Sequence, residues 1–279
     1  MLTKPGIPAS TPFTYDEDSE HESSDGEFPL LEASDLKNDF AIWASQCSIP
    51  QSSVDKLLRL LRRHGNEELP KTARTLQGSL REVELSTVSS MKYHYLGLAH
   101  VTTSVVDSFT KTALANVDNL VLALNIDGLP LFKSSSMCLW PILCCITNLK
   151  PCKVFPVALA CVETKPKTLD FLKDTITNMK VLLYEGLMVA GKKYLIDLSC
   201  VVCDAPARAM VKHVKQYSGY SGCDKCNIKG LYLGRMTYPD ILSLPLRTDH
   251  TFREQVDPRH HTGYPPFCDL PIDMVNSFQ

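Results

Sequence analysis

The sequence predicts an α/β protein built on a mixed β-sheet, and three observations predict it. "NLVLALNID" (119–127) is an unbroken apolar run of strand length, the pattern of a strand buried on both faces. "CLWPILCCITN" and "KVFPVALACVE" are two further runs separated only by "LKPCK", which predicts an antiparallel pair. "KTLDFLKDTITNMKVLLYEGLMV" places Leu169, Leu172, Ile176 and Met179 along one helical stripe, and "KKYLIDLSCVVCDA" follows as a fourth strand. A right-handed crossover lays that strand parallel to the first.

Taken in order, residues 1–37 read as a disordered tail, Ser- and Pro-rich and densely acidic in "YDEDSEHESSDGEF". Residues 38–117 read as a helical N-terminal region. Its clearest helix has Ser52 or Ser53 as N-cap, Val54, Leu57, Leu58 and Leu61 on one face, and His64-Gly65 as its stop. Arg59, Arg62 and Arg63 fall on other faces and read as solvated surface. "NEELPKTARTLQGS" reads as a linker carrying a short turn, and "SFTKTALANVDN" as partly helical. Residues 118–216 hold the sheet, where Pro141 and Pro156 each mark an edge or a bulge. "PARAMVKHVKQY" closes this segment as a helix with Pro206 in its first turn. Residues 217–279 form a Cys/His-containing segment.

The totals narrow the function classes. A chain of 279 residues accommodates one large domain or two modest ones. With 29 basic against 31 acidic side chains, bulk charge does not recruit a polyanion, so any nucleic-acid contact is local. Eleven cysteines scattered through apolar segments, behind an N-terminus with no apolar leader, predict an intracellular protein, nuclear or cytoplasmic, whose thiols are mostly small core residues. The longest apolar run, Met137–Ile146, is too short to cross a bilayer, so no membrane partner is expected. No Gly-rich phosphate loop and no G-x-S-x-G is present.

Two constellations carry chemistry. Asp127 in "NIDGLP" and Asp204 in "VVCDAPAR" each end a predicted buried strand. Singly, the first reads as an Asp-Gly turn and the second as an N-cap. On neighbouring parallel strands they reach the same sheet edge, where a carboxylate pair suits Mg²⁺ or Mn²⁺. Cys223 and Cys226 in "GYSGCDKC" have the spacing to share a structural Zn²⁺, with His260 and His261 of "DPRHHTGYPPF" available to close the shell. His250 and Cys268 are rival ligands, and two unligated thiols in a loop are the plainer alternative. Lys212, Lys215 and Lys225, with Tyr217 and Tyr220 interleaved, read either as ordinary surface or as a patch for a phosphate backbone. Cys200 and Cys203, another C-x-x-C, fall inside the fourth strand and read as core.

The segments "LALNIDGLPLFKSSSMCLWPIL", "VVCDAPARAMVKHVKQYSGYSGCDKC" and "DPRHHTGYPPF" resemble the transposase-like proteins of CACTA (En/Spm-type) DNA transposons of animals. The likeness spans roughly residues 38–275. It implies an RNase H-like, DDE-type mixed sheet with a zinc-binding insertion, DNA as partner, and assemblies of more than one copy. Asp127 and Asp204 would match the first two catalytic acids, and Cys223, Cys226, His260 and His261 the metal-binding insertion. The family's third acid lies on a later helix beyond a longer insertion. Glu254, the late glutamate in this sequence, precedes the His pair and is in the wrong order for that role. The resemblance thus implies a C-terminally truncated relative with an incomplete fold, a transposase by ancestry. The alternative is a non-catalytic module that binds nucleic acid or protein around a structural zinc.

Overall fold

The computed structural model describes residues 35–78, 83–132, 136–163, 165–239 and 245–279. The chain forms two compact units divided between Glu82 and Val83. The expected acidic tail lies, up to residue 34, outside the described residues.

The first unit contains helices α1 (Leu36–Gln46), α2 (Gln51–Arg63) and α3 (Ala73–Leu76). Asp35 caps α1 by accepting from the Lys37 N–H, so the first helix begins two residues before the expected boundary. Helix α2 starts at Pro50 rather than at Ser52 or Ser53, and no side chain caps it. A proline just before the first turn holds φ near −56°, which leads directly into the helix. The apolar face is the one anticipated. Val54 and Leu58 are fully buried, each worth roughly 1.5–3 kcal/mol, with Leu57 and Leu61 partly covered. The expected linker is instead part of this core: Leu69, Ala73 and Leu76 pack with Phe40 and Ala44. Asp55 fastens α3 by accepting the Ala73 N–H at 2.6 Å.

The second unit begins with a hairpin, β1 (Ser86–Val88) and β2 (Met91–Tyr95), followed by α4 (Leu98–Asp107) and α5 (Lys111–Leu114). The helical reading of 38–117 is therefore corrected, because β2 pairs antiparallel with the sheet and belongs to it. Then come β3 (Asn119–Ile126), β4 (Leu129–Pro130), β5 (Cys138–Ile146) and β6 (Val154–Val162). A 3₁₀ turn over Asp170–Leu172 leads into α6 (Lys173–Glu185), β7 (Leu187–Val189), β8 (Lys192–Val202) and α7 (Ala205–Val211). The remainder carries a small hairpin, β9 (Leu231–Tyr232) and β10 (Met236–Thr237), and α8 (Asp249–Arg253). Helix α6 ends earlier than the expected segment, which ran on through Val189. Gly186 sits at φ 76°, where a Cβ would lie 2.5 Å from the Tyr194 carbonyl oxygen, and "LMV" turns back as a strand.

The main sheet runs β1-β2-β6-β5-β3-β8-β7, with β4 alongside β5. Strands β3 and β8 are parallel, as the crossover argument requires, while β5 is antiparallel to both β3 and β6. The two prolines sit in interior strands, not at an edge. Pro141 lies one position past the last β3–β5 pair, Ile126↔Ile142, and Pro156 lies beyond the β2–β6 pairing beside a register shift. Each thus avoids a rung that would need its missing N–H. Strand β3 is fully buried on one face only. Leu120, Leu122, Leu124 and Ile126 belong to the apolar core that also takes the buried sides of α4 and α6, whereas on the other face Ala123 is buried and Asn119, Val121 and Asn125 are half-buried.

Residues beyond α7 are not an appendage. Phe252, Phe267, Leu270, Met274 and Phe278 join the same apolar core as the sheet. Arg253 braces this segment, donating to the carbonyls of Cys268, Leu270 and Ile272 and pairing with Asp249 at 2.7 Å. The chain then returns to β8: Phe278 bridges Val201 in parallel, and the Cys203 N–H donates to the Gln279 carbonyl at 2.9 Å. Among the described residues no helix is long and apolar enough to cross a membrane.

Candidate functional site

The last bridged pair between β3 and β8 is Asn125↔Val202. Two residues on, Asp127 and Asp204 leave the same end of neighbouring parallel strands. The Cys203 thiol lies between them in sequence register and feels both. Burial pushes it up to about 12, and the charges of Asp127 and Asp204 add to that, against the Ile126 N–H and Arg208. Asp127 is half-buried and Asp204 exposed.

Both local readings of these acids are also realised. Asp127 Oδ1 accepts the Gly128 N–H at 2.7 Å, and Asp204 Oδ1 caps α7 by accepting the Ala207 N–H at 2.6 Å. Gly128 is required by close approach, since a Cβ there would stand 2.6 Å from Trp140 Cζ2. Turn, cap and indole thus hold the carboxylates at the strand ends, each with Oδ1 accepting a backbone N–H. Hard cations take oxygen donors and fill the remainder of their shell with water, so the pair fits Mg²⁺ or Mn²⁺ chemically. Among the described residues no group of three or more His, Cys, Asp or Glu side chains is gathered to hold an ion. Glu254 is exposed at the end of α8 and does not complete such a group.

Cys223 and Cys226 bring their Sγ atoms to 3.3 Å, both half-buried. Arg247 backs this loop, its Nε donating to the Cys223 carbonyl at 3.2 Å and its Nη2 pairing with Asp257 at 3.0 Å. His260 is wholly buried. Its Nδ1 lies 2.7 Å from the Ser221 carbonyl, two residues from Cys223, and its Nε2 has no partner. An imidazole held through one nitrogen with the other vacant is oriented as metal-ligating histidines are. Burial lowers its pKa to about 4, so the ring is neutral near pH 7. His261 is also buried, lowered by burial first, with neither ring nitrogen bonded. The donors fit Zn²⁺ in kind, but they are not drawn into one three-ligand shell. Of the rivals, His250 is exposed on α8, and Cys268 is buried beside Arg253.

The basic patch is corrected. Lys212 is 0% exposed, its Nζ 2.5 Å from Asp224 Oδ1 and about 5 Å from the ring of Phe252. Burial lowers its pKa while Asp224 opposes the shift. It is an internal strut, unable to meet a phosphate. Lys225 donates its ammonium to the Val275 carbonyl at 2.6 Å. Lys215 and Lys225 are both exposed as expected, but the Lys225 ammonium is taken up by that carbonyl. Sequence reasoning missed Asp224, which receives both Lys212 and, at 3.4 Å, Arg208. A carboxylate inside the C-x-x-C spacing was the available signal. It also missed the pair Lys165 and Lys167, flanking Pro166 at the acid end of the sheet.

No protein-family model matches this chain, and no curated protein matches it.

Proposed function

We propose that the chain is a transposon-derived, DDE-transposase-like protein with an RNase H-like sheet, acting on DNA through a divalent cation at Asp127 and Asp204. One observation carries the reading: two acids 77 residues apart in sequence leave the same end of adjacent parallel strands, β3 and β8. The strand order β6-β5-β3-β8, with Phe278 rejoining β8 in parallel, supports it. A Mg²⁺ or Mn²⁺ ion bound there would supply Lewis-acid activation for phosphodiester cleavage or strand transfer. The protein's own contribution is placement. The Asp127 turn and the Asp204 cap fix two anionic oxygens on a rigid sheet edge, so that little reorganisation is needed when a phosphate arrives.

A second reading, a non-catalytic DNA- or protein-binding module stabilised by Zn²⁺ at Cys223, Cys226 and His260, is favoured by two features. No third carboxylate joins the acid pair among the described residues, and His260 Nε2 is buried without a partner. Cleavage of supercoiled plasmid by the full chain in Mg²⁺ or Mn²⁺ separates the two. Asp204→Asn is the control of choice, since asparagine keeps the helix cap, while alanine also forfeits about 0.5–2 kcal/mol of it. Metal-dependent cleavage that disappears in Asp204→Asn establishes the enzyme. Indistinguishable traces for wild type and variant overturn it.

A further inference from the structure

A groove of about 610 Å³, lined by Ser89, Lys92, Met137, Glu163, Lys165 and Lys167 among others, opens at the end of the sheet from which the acid pair also leaves, two strands away from it. Its position follows from the topology. Strand β5 is antiparallel to β3, and β6 antiparallel to β5, so the C-terminal end of β6 and the N-terminal ends of β5 and β2 share one sheet edge with Asp127 and Asp204. At about 4.8 Å per strand step, β6 stands roughly 10 Å from β3. Lys165 spans toward the acids: its Nζ lies 3.4 Å from the carbonyl of Pro206, two residues past Asp204.

The groove is positively charged and braced. Lys92, Lys165 and Lys167 are exposed and face one carboxylate, Glu163. The β1–β2 turn holds Ser89 and Ser90 at positive φ, and the Ser89 hydroxyl donates to Asp170 Oδ2, three residues past Lys167. The hairpin carrying Lys92 and the loop carrying Lys165 and Lys167 are therefore tied to each other. Lysine ammoniums on two such walls, with a metal-suited carboxylate pair at the far end, match a chain of phosphates that continues to a reacting one.

We infer that Lys92, Lys165 and Lys167 form the track for the sugar–phosphate backbone of double-stranded DNA leading to Asp127 and Asp204. The inference rests on the reading that DNA is the partner, and it replaces Lys212 and Lys225 as the contact residues. Each ammonium neutralises a phosphate and releases condensed counterions, so the signature is a salt slope rather than affinity alone.

The test is fluorescence anisotropy of a labelled duplex with the full chain, without divalent ions, over a KCl series. Relative to wild type, Lys92→Gln/Lys165→Gln/Lys167→Gln is expected to flatten the slope of log K against log salt by about 2.7, at about 0.9 per contact. Lys111→Gln/Lys180→Gln/Lys193→Gln removes the same charge from exposed positions outside the groove and is expected to leave the slope unchanged. Should the groove triple variant fold poorly, Lys92→Gln and Lys167→Gln singly are each expected to flatten the slope by about 0.9. A wild type that binds with its slope intact in the groove variants overturns the track and leaves the DNA reading standing. Equal losses in groove and control variants overturn it as well. A wild type that binds no duplex at low salt removes the DNA reading and the track together.

Discussion

Lys212 Nζ stands 2.5 Å from Asp224 Oδ1 with the lysine entirely out of solvent, so an ion pair joins α7 to the loop between Cys223 and Cys226. The pair explains how a charged residue closes a helix inside the core. The ammonium is also bracketed by the rings of Phe252, at 5.0 Å, and Phe278, at 5.4 Å. Because α7 begins at Asp204, the same pair ties the thiol loop to the helix that carries the second acid.

Removing one partner should cost far more than removing both. Asp224→Asn leaves Lys212 buried beside a neutral amide and is expected to lose about 3–5 kcal/mol. In Lys212→Met/Asp224→Asn the uncompensated charge is gone and much of that loss is recovered. Urea denaturation of the single and double variants measures the coupling, and additive losses would remove the pair from the account.

Gly128→Ala tests the turn that holds Asp127. The added Cβ would meet the Trp140 ring at 2.6 and 2.8 Å, and both the ring and Gly128 sit in packed surroundings. An overpacking cost of about 1–3 kcal/mol is expected. The same change should shift the Trp140 emission, read against a Trp43→Phe background to isolate that indole.

The thiol loop predicts its own metal. Zinc content after exhaustive dialysis should be about one ion per chain for wild type and none for Cys223→Ala/Cys226→Ala. The half-buried cysteines stand apart from the main apolar core, so the variant should show faster amide exchange around residues 221–230 with little change in the melting of the sheet. Zinc-free wild type ends the proposal.

Asp170 gives a pH signature. The Ser89 hydroxyl first, and Thr168 next, hold its carboxyl below the usual value. A carboxylate with a depressed folded pKa contributes stability that is present above its unfolded value, about 3.9, and lost as pH falls through the folded one. Ser89→Ala should raise the Asp170 midpoint in a carboxyl NMR titration. The stability difference between wild type and variant should be present at pH 7 and vanish once both states are protonated.

What the sequence disclosed and what it hid have physical causes. Strands β3, β5 and β6 were legible as continuous apolar runs and β8 as a largely alternating one, and the acid pair because β3 and β8 end in turn formers, Asp-Gly and Asp-Ala-Pro. Strands β1 and β2 were hidden in "STVSSMKYHY", short and polar around a Ser-Ser turn, where only pairing with β6 decides the structure. Helix α4, "LAHVTTSVVD", is rich in β-branched residues that disfavour helix, and packing of Leu98, Thr102 and Val106 overrides that preference. The fate of Lys212 could not be read locally. Its partner lies 12 residues on, and the rings that enclose it come from Phe252 and Phe278.

The return of the chain to β8 bears on how molecules avoid one another. Strand β8 has β3 along one side, while β7 takes Lys192–Tyr194 of the other side and Ser277–Gln279 takes the stretch around Val201. An intruding strand from a second molecule would find both ends of that border already hydrogen-bonded, with only a short interval left to template. Ser277–Gln279 thereby cover part of the border that an added strand would need, independently of any chemistry at the acids.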